Sequence, residues 1–244
     1  VHDPAAEYAG IRALVTGGAS GIGAATASAL LSRGAQVAVL DLSPDGAPDG
    51  VFALQCDISV SSEVQQAVES AAAQLGGLDV VINNAGIGAQ GDVTANDDAE
   101  WARVMDVNVT SVARVIRYAL PYLRRSENAA IVNTASIASA IGLPQRVLYS
   151  ATKGAVQSMT LATAADLIGE GIRVNAVLPG TANTPWVGRL LDQADDPAAE
   201  RTALEAASRT GAWSSRRRSP RRTATWPRPA TSPPWACCSR STEG

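Results

Sequence analysis

Along the first 180 or so residues, short apolar runs alternate with segments of helical periodicity. The runs at 11–16, 37–41, 51–56, 78–83, 129–134 and 172–177 are rich in Val, Ile, Leu and Ala and carry few polar positions. Runs of that length and character read as strands buried on both faces. Segments 22–33, 61–75, 99–123 and 147–168 place apolar residues three and four apart and predict helices. Strand and helix in strict alternation predict one α/β domain, a doubly wound parallel sheet with helices on both faces. Ligands of such sheets bind outside the carboxyl ends of the strands, so chemistry is sought there.

Composition narrows the field. No uninterrupted apolar run approaches the ~18 residues of a membrane span, and the start, Val1-His2-Asp3-Pro4, lacks the basic and apolar parts of a signal peptide. A cytoplasmic protein without membrane contact is expected. Cys56, Cys237 and Cys238 make neither a disulfide framework nor a metal spacing. His2 is the single histidine, which excludes a Ser-His-Asp triad, a Cys-His pair and a His-rich metal site, and no metal is expected. Lys153 is the single lysine among 20 basic residues. Where arginine has taken every other basic position, a surviving lysine marks work that needs a compact cation with a movable pKa.

At the first strand end the chain reads Thr16-Gly17-Gly18-Ala19-Ser20-Gly21-Ile22-Gly23 and then enters a helix. Glycines permit a tight turn and close approach to a pyrophosphate, and the helix N-terminus offers free N–H groups. Asp41 ends the next strand. A carboxylate there can accept from both ribose hydroxyls of NAD and would repel a 2′-phosphate, and Ala19, Ser20 and Leu42 bring no base to offset it. NAD is therefore the expected cofactor. Asp57, beside Ile58 after the third strand, is read either as an acceptor for adenine or as a helix cap.

Tyr149 and Lys153 stand four apart on a predicted helix and share a face. A phenol titrates near ~10, and a neighbouring ammonium lowers that value towards a working range for acid–base chemistry. Ser136 ends the fifth strand and could hold a carbonyl or hydroxyl; Asn108 could bind a water that links Lys153 to solvent.

In order and spacing, Thr16-Gly17-x-x-x-Gly21-x-Gly23, Asn83-Asn84-Ala85-Gly86, Asn108, Ser136, Tyr149-x-x-x-Lys153 and Pro179-Gly180 resemble the motifs of short-chain dehydrogenases/reductases over residues 10–206. The resemblance implies a single Rossmann-type domain, dimeric or tetrameric. It implies Tyr149 as acid/base, Lys153 on the nicotinamide ribose, Ser136 orienting substrate and Asn108 in a proton relay. It places Asn83, Ala85 and Gly86 along the cofactor and Thr184, after Pro179 and Gly180, at its carboxamide. Arg146, three residues before Tyr149, could clamp a carboxylate, with Gln90 a further polar contact. Together with residues 179–185 these resemble members that act on small hydroxy acids and sugar acids. A 3-oxoacyl-thioester reductase is the alternative enzyme.

After a polar segment at 184–206 that reads as a flap, the chain departs from the family. Residues 207–244 hold no Leu, Ile or Val, but eight arginines, five prolines and one acid, for a net charge of +7 against −10 for residues 1–206. A basic arm that binds nucleic acid is one reading, and not the favoured one. A shift of reading frame is another. Read one base out of phase, Gly211-Ala212-Trp213-Ser214 permits Arg-Leu-Val, and Arg240-Ser241-Thr242-Glu243-Gly244 permits Val-Asp-Gly-Gly, the family's usual ending. The expectation is a one-base deletion near residues 206–207. A chain so altered could bind cofactor yet be inactive or unstable.

Overall fold

A computed structural model describes residues 6–180, together with Gly188 and Thr202. Among these residues six strands form one parallel sheet: β1 (Arg12–Thr16), β2 (Gln36–Asp41), β3 (Phe52–Gln55), β4 (Val80–Asn83), β5 (Ala130–Thr134) and β6 (Arg173–Val177). Their order is β3-β2-β1-β4-β5-β6, with every neighbouring pair parallel. The expected strands are all present, each trimmed or shifted by a residue or two at its ends. The predicted flap at 184–206, apart from Gly188 and Thr202, and the tail lie outside the described residues.

The two-residue period of a strand sends alternate side chains to opposite faces. Leu14, Ala38, Leu40, Val81, Ile131 and Val174 point into one core with α2 (Ser61–Leu75), α4 (Ser111–Leu123) and α5 (Val147–Leu167). Ala13, Val15, Val37, Val39, Ile82 and Val132 point into a second core that takes Ala27 and Leu30 of α1 (Gly21–Leu31). Central strands with both faces covered explain why β1, β2, β4 and β5 read as continuous apolar runs.

The predicted helix at 99–123 is two helices joined by a wider turn. α3 (Asp98–Met105) runs into a π-helical turn, Asp106–Thr110, before α4 begins. Asp97 caps α3 by accepting from the Glu100 N–H. The π turn inserts one residue and re-aims what it carries; here that residue set includes Asn108, which it turns inward to 1% exposure.

Strand order reverses between β1 and β4, and a crevice opens at their carboxyl ends. The opposite end of the sheet is locked by a buried ion pair. Asp79 accepts from Arg12 Nε at 2.8 Å, Arg12 Nη2 at 2.7 Å and the Arg12 backbone N–H at 2.9 Å, and from Ser126 Oγ at 2.5 Å. Burial pushes the Asp79 carboxyl up, but these hydrogen bonds outweigh it and hold it below the usual range.

Candidate active site

The cleft at the reversal point has a volume of about 930 Å³ and is lined by the ends of β1, β2, β4 and β5 and the start of α5. That is room for a dinucleotide with a small substrate beside it.

One end is built by the glycine turn. Gly17 sits at φ +64°, and a Cβ there would lie 2.8 Å from Ala85 Cα, so only glycine lets β1 and β4 approach this closely. A Cβ on Gly23 would overlap the Gly17 carbonyl oxygen. Gly17, Ser20, Gly21 and Ile22 line the cleft, so the N-terminus of α1 opens onto it. Gly23 packs behind them.

Asp41 lines the same end, and its carboxylate accepts from Ala19 N–H at 3.0 Å and Ser43 N–H at 3.1 Å. It thus fixes the glycine turn while facing the cleft. Asp57 stands three residues ahead of Val60, the N-cap of α2, and so does not cap that helix. It lines the cleft beside Ile58, and it shapes the turn into α2 by accepting from Ser59 N–H at 2.8 Å and Ser59 Oγ at 2.6 Å. The Ser59 hydrogen bonds hold its carboxyl below the usual range.

The expectation for the paired asparagines is redistributed. Asn83 is buried, outside the cleft lining, and donates to Asn133 Oδ1 at 2.8 Å; Asn133 in turn donates to Thr160 Oγ1 at 2.9 Å. Asn83 is the last residue of β4 and its side chain follows the strand's alternation into the protein. Asn84 lines the cleft instead and donates to the carbonyls of Thr16 and Gly17 at 3.2 and 3.1 Å. Thr16 Oγ1 accepts from the N–H groups of Asn84 and Ala85. Ala85 and Gly86 line the cleft, as do Pro179 and Gly180. Thr184 lies outside the described residues.

The other end holds the titratable groups. Ser136, 9% exposed, opens the short turn Ile137–Ser139 with its Oγ accepting from Ala138 N–H at 3.2 Å, and it hydrogen-bonds the Tyr149 side chain. Tyr149 packs against Ala89, Val104 and Leu148, with Ile87 and Trp101 alongside. Lys153, 5% exposed, sits with Nζ 5.8 Å from the centre of the Tyr149 ring and donates to the Thr134 carbonyl at 2.8 Å. Burial lowers the Lys153 ammonium to about 8.

The expected lowering of the phenol by Lys153 is not what the geometry gives. Burial pushes Tyr149 up, and what pulls it back is the Ser136 hydrogen bond and then the charge of Arg146. The reason is physical: an ammonium lowered to about 8 has already lost its proton at the pH where a phenol raised by burial would ionise.

Asn108 stands behind the cleft wall. Its Oδ1 accepts from Ile87 N–H at 2.8 Å, and its Nδ2 donates to Ile87 O at 2.8 Å and Thr152 Oγ1 at 3.1 Å. It therefore ties the chain after β4 to α5, and a Cβ on Gly86 would come within 3.1 Å of its Oδ1 and 3.5 Å of Lys153 Nζ. Arg146 is 5% exposed, lines the cleft, and donates to the Gln145 carbonyl at 2.7 Å. Gln145 has φ +55°, the single non-glycine in that region among the described residues, and the backbone hydrogen bonds Gly91 N–H to Gln145 O and Val147 N–H to Gly91 O hold it there. Gln90 is exposed and outside the cleft lining, its carbonyl accepting from Asn96.

Leu42 lines the cleft at the Asp41 end, and Leu143, Arg103, Val107 and Thr134 line it as well, the last four outside any motif. No sequence signal marks Leu143, Arg103, Val107 or Thr134, since tertiary packing alone brings them there. Thr134 Oγ1 is buried without a hydrogen-bond partner in the protein. An unpaired polar atom in the cleft wall, beside a helix N-terminus and glycines in close contact, suits an occupant rich in hydroxyl and phosphate groups.

Comparison with known proteins settles the family. Residues 12–195 match the family model described as short chain dehydrogenase. The chain belongs to the short-chain dehydrogenase family. It is 40% identical to cis-4-hydroxycyclohexanecarboxylate dehydrogenase of Sinomonas cyclohexanicum, over 73% of this chain and 76% of that one. It is 38% identical to 2-(S)-hydroxypropyl-CoM dehydrogenase 3 of Xanthobacter autotrophicus, over 72% and 73%. Among solved structures, the ligand-free aldohexose dehydrogenase of Thermoplasma acidophilum superposes with a TM-score of 0.80 at 26% identity, covering 90% of this chain and 87% of that one. The protein is an oxidoreductase of this family, acting on alcohol groups of small molecules with a nicotinamide cofactor. Among the described residues no helix is long and apolar enough to cross a membrane, and no His, Cys, Asp and Glu group is gathered to hold a metal.

Proposed function

We propose that this chain is an NAD-dependent dehydrogenase of a small hydroxy acid, sugar acid or related polyol, with Tyr149, Ser136, Lys153 and Asn108 as its working set. The observation that carries the substrate class is Arg146, a guanidinium held at 5% exposure in the wall of the cleft that contains Tyr149 and Ser136. A buried guanidinium fork suits a carboxylate, which it can grip through two parallel hydrogen bonds. The cyclohexanecarboxylate relative, by its name, acts on a secondary alcohol that carries a carboxylate.

NAD is supported by Asp41, whose carboxylate faces the cleft beside the non-basic Ala19, Ser20 and Leu42 and would repel a 2′-phosphate. The N-terminus of α1 would take the pyrophosphate, and Asp57 with Ile58 the adenine side. Bound there, NAD supplies the hydride acceptor. Ser136 orients the substrate oxygen, Tyr149 takes its proton, and Lys153 holds the nicotinamide ribose with its ammonium. Asn108 fixes the Ile87 backbone against α5 and so keeps this set in register. A homo-oligomer fits the outer face of α5, where Leu161 on the helix and Ile168 just past its end are each 52% exposed.

The test compares kcat/KM for a hydroxy acid and for its neutral ester, in wild type and Arg146→Gln. The acid is expected to lose roughly 100-fold in the variant and the ester less than about threefold, as loss of a charged hydrogen-bonding pair requires. Equal losses on both would overturn the carboxylate reading.

A further inference from the structure

One side chain outside the cleft lining ties its Asp57–Ile58 wall to the turn that carries Asn108. Arg114, in the first turn of α4, donates Nη2–H to Asp106 Oδ1 at 2.7 Å and Nη1–H to Asp106 Oδ2 at 3.1 Å. The same Nη1 reaches the carbonyl of Ile58 at 3.4 Å. Asp106 opens the π turn that carries Asn108, and Asn108 holds Ile87 and Thr152. Thr152 Oγ1 donates to the Tyr149 carbonyl at 2.8 Å. Ile58 belongs to the Asp57–Ile58 wall at the other end of the cleft. Ser59 holds the Asp57 carboxylate in its charged form, and the Arg114 charge adds to that effect. One turn along α4, the Tyr118 hydroxyl lies 2.9 Å from Ser61 Oγ, a second tie between α4 and the chain that leads into α2.

An exposed ion pair within one helical stretch would be worth little. Two features set Arg114 apart. Its side chain is only 16% exposed, and its fork is shared between a carboxylate on the catalytic side and a carbonyl on the cofactor side. Only a guanidinium has donors enough, in a fixed plane, to serve both.

We propose that Arg114 is a positioning residue that sets the Asp57–Ile58 wall and the Asn108 turn relative to one another. Grip on the adenosine half of the cofactor and alignment of the catalytic set then depend on one strut. The inference rests on reading the cleft as an NAD site.

The experiment measures affinity for NAD and for nicotinamide mononucleotide, which lacks the adenosine half, with kcat and alcohol KM at saturating NAD. It uses wild type, Arg114→Met and Arg114→Lys, with Asp106→Asn as a variant of unchanged size should the first fail to fold. NAD affinity is expected to fall roughly fivefold to tenfold in each variant, as loss of a charge-assisted hydrogen bond gives. Mononucleotide affinity and alcohol KM stay within about twofold, and kcat falls roughly threefold. A merely structural role would lower the melting temperature and leave these ratios alone. NAD affinity and kcat both within about twofold of wild type would overturn the strut, as would equal weakening of the mononucleotide or full rescue by Arg114→Lys. Wild type that binds no NAD would overturn the cofactor reading and the strut with it.

Discussion

Lys153 should make this protein less stable than it would be without it. The ammonium is 5% exposed, lacks a carboxylate partner among the described ion pairs, and is lowered by burial from 10.5 to about 8. At about 1.4 kcal/mol per pH unit, that shift corresponds to roughly 3 kcal/mol of destabilisation at neutral pH. Below pH about 8 the amine is charged in both states and the whole cost is present. Between about 8 and 10.5 the folded chain releases the proton while the unfolded chain keeps it, so stability rises with pH; above that window the cost is gone. The raised Tyr149 phenol acts in the opposite sense, and only above pH 10, where the unfolded chain ionises first. Lys153→Met removes the burial cost but strands the Thr134 carbonyl, worth about 1–2 kcal/mol. A net gain of about 1–2 kcal/mol is expected at pH 7, shrinking to nothing or reversing by pH 10. Urea unfolding followed by tryptophan fluorescence, at several pH values, reads both numbers. A variant less stable than wild type at pH 7, or one that keeps the wild-type rise between pH 8 and 10, would refute the reasoning.

Three other outcomes follow from the same geometry. Asp79→Ala leaves Arg12 unpaired at the far end of the sheet and should cost roughly 3 kcal/mol, the low end for a broken buried pair because Arg12 keeps 29% exposure; in wild type the Asp79 contribution is present above pH about 4 and lost as pH falls through its lower folded value, which acid unfolding of the two proteins compares. Asp41→Asn should weaken NAD roughly tenfold in a binding titration while NADP gains relative to it, because a carboxylate acceptor becomes an amide. For residues 207–244, resequencing the gene should show a base missing near residues 206–207, and the restored reading should end in Val-Asp-Gly-Gly; an intact frame would end that proposal.

How far the sequence could be read depended on whether a feature was local. The glycine turn, Asp41 and the Tyr149–Lys153 spacing were legible because each needs only its own strand end or helix face. The six strands were legible because both faces of the sheet are covered, which leaves apolar runs. The π turn at Asp106–Thr110 was not, because one extra residue within a helix leaves apolar spacing on either side nearly intact. The exchange of roles between Asn83 and Asn84 was hidden for a related reason. Which of two adjacent residues faces the cleft depends on where β4 ends, and a single residue decides it. Burial of Arg146 and the reach of Arg114 to Ile58 join segments far apart in the chain, and no spacing rule carries them. The spacing carries the proximity of Tyr149 to a cation, but not the desolvation that raises the phenol and lowers the ammonium, which depends on the packed site around both.

Hydride transfer from a small hydroxy acid to NAD, with Tyr149 as the base, is tested most directly by mixing protein, NAD and a panel of small hydroxy acids, sugar acids and polyols and following NADH formation, in wild type and in Tyr149→Phe. Wild type should turn over at least one hydroxy or sugar acid, and Tyr149→Phe should still bind NAD while losing roughly 1,000-fold or more in kcat. Turnover that survives in Tyr149→Phe, or wild type that binds NAD and reduces it with none of the panel, would contradict the account.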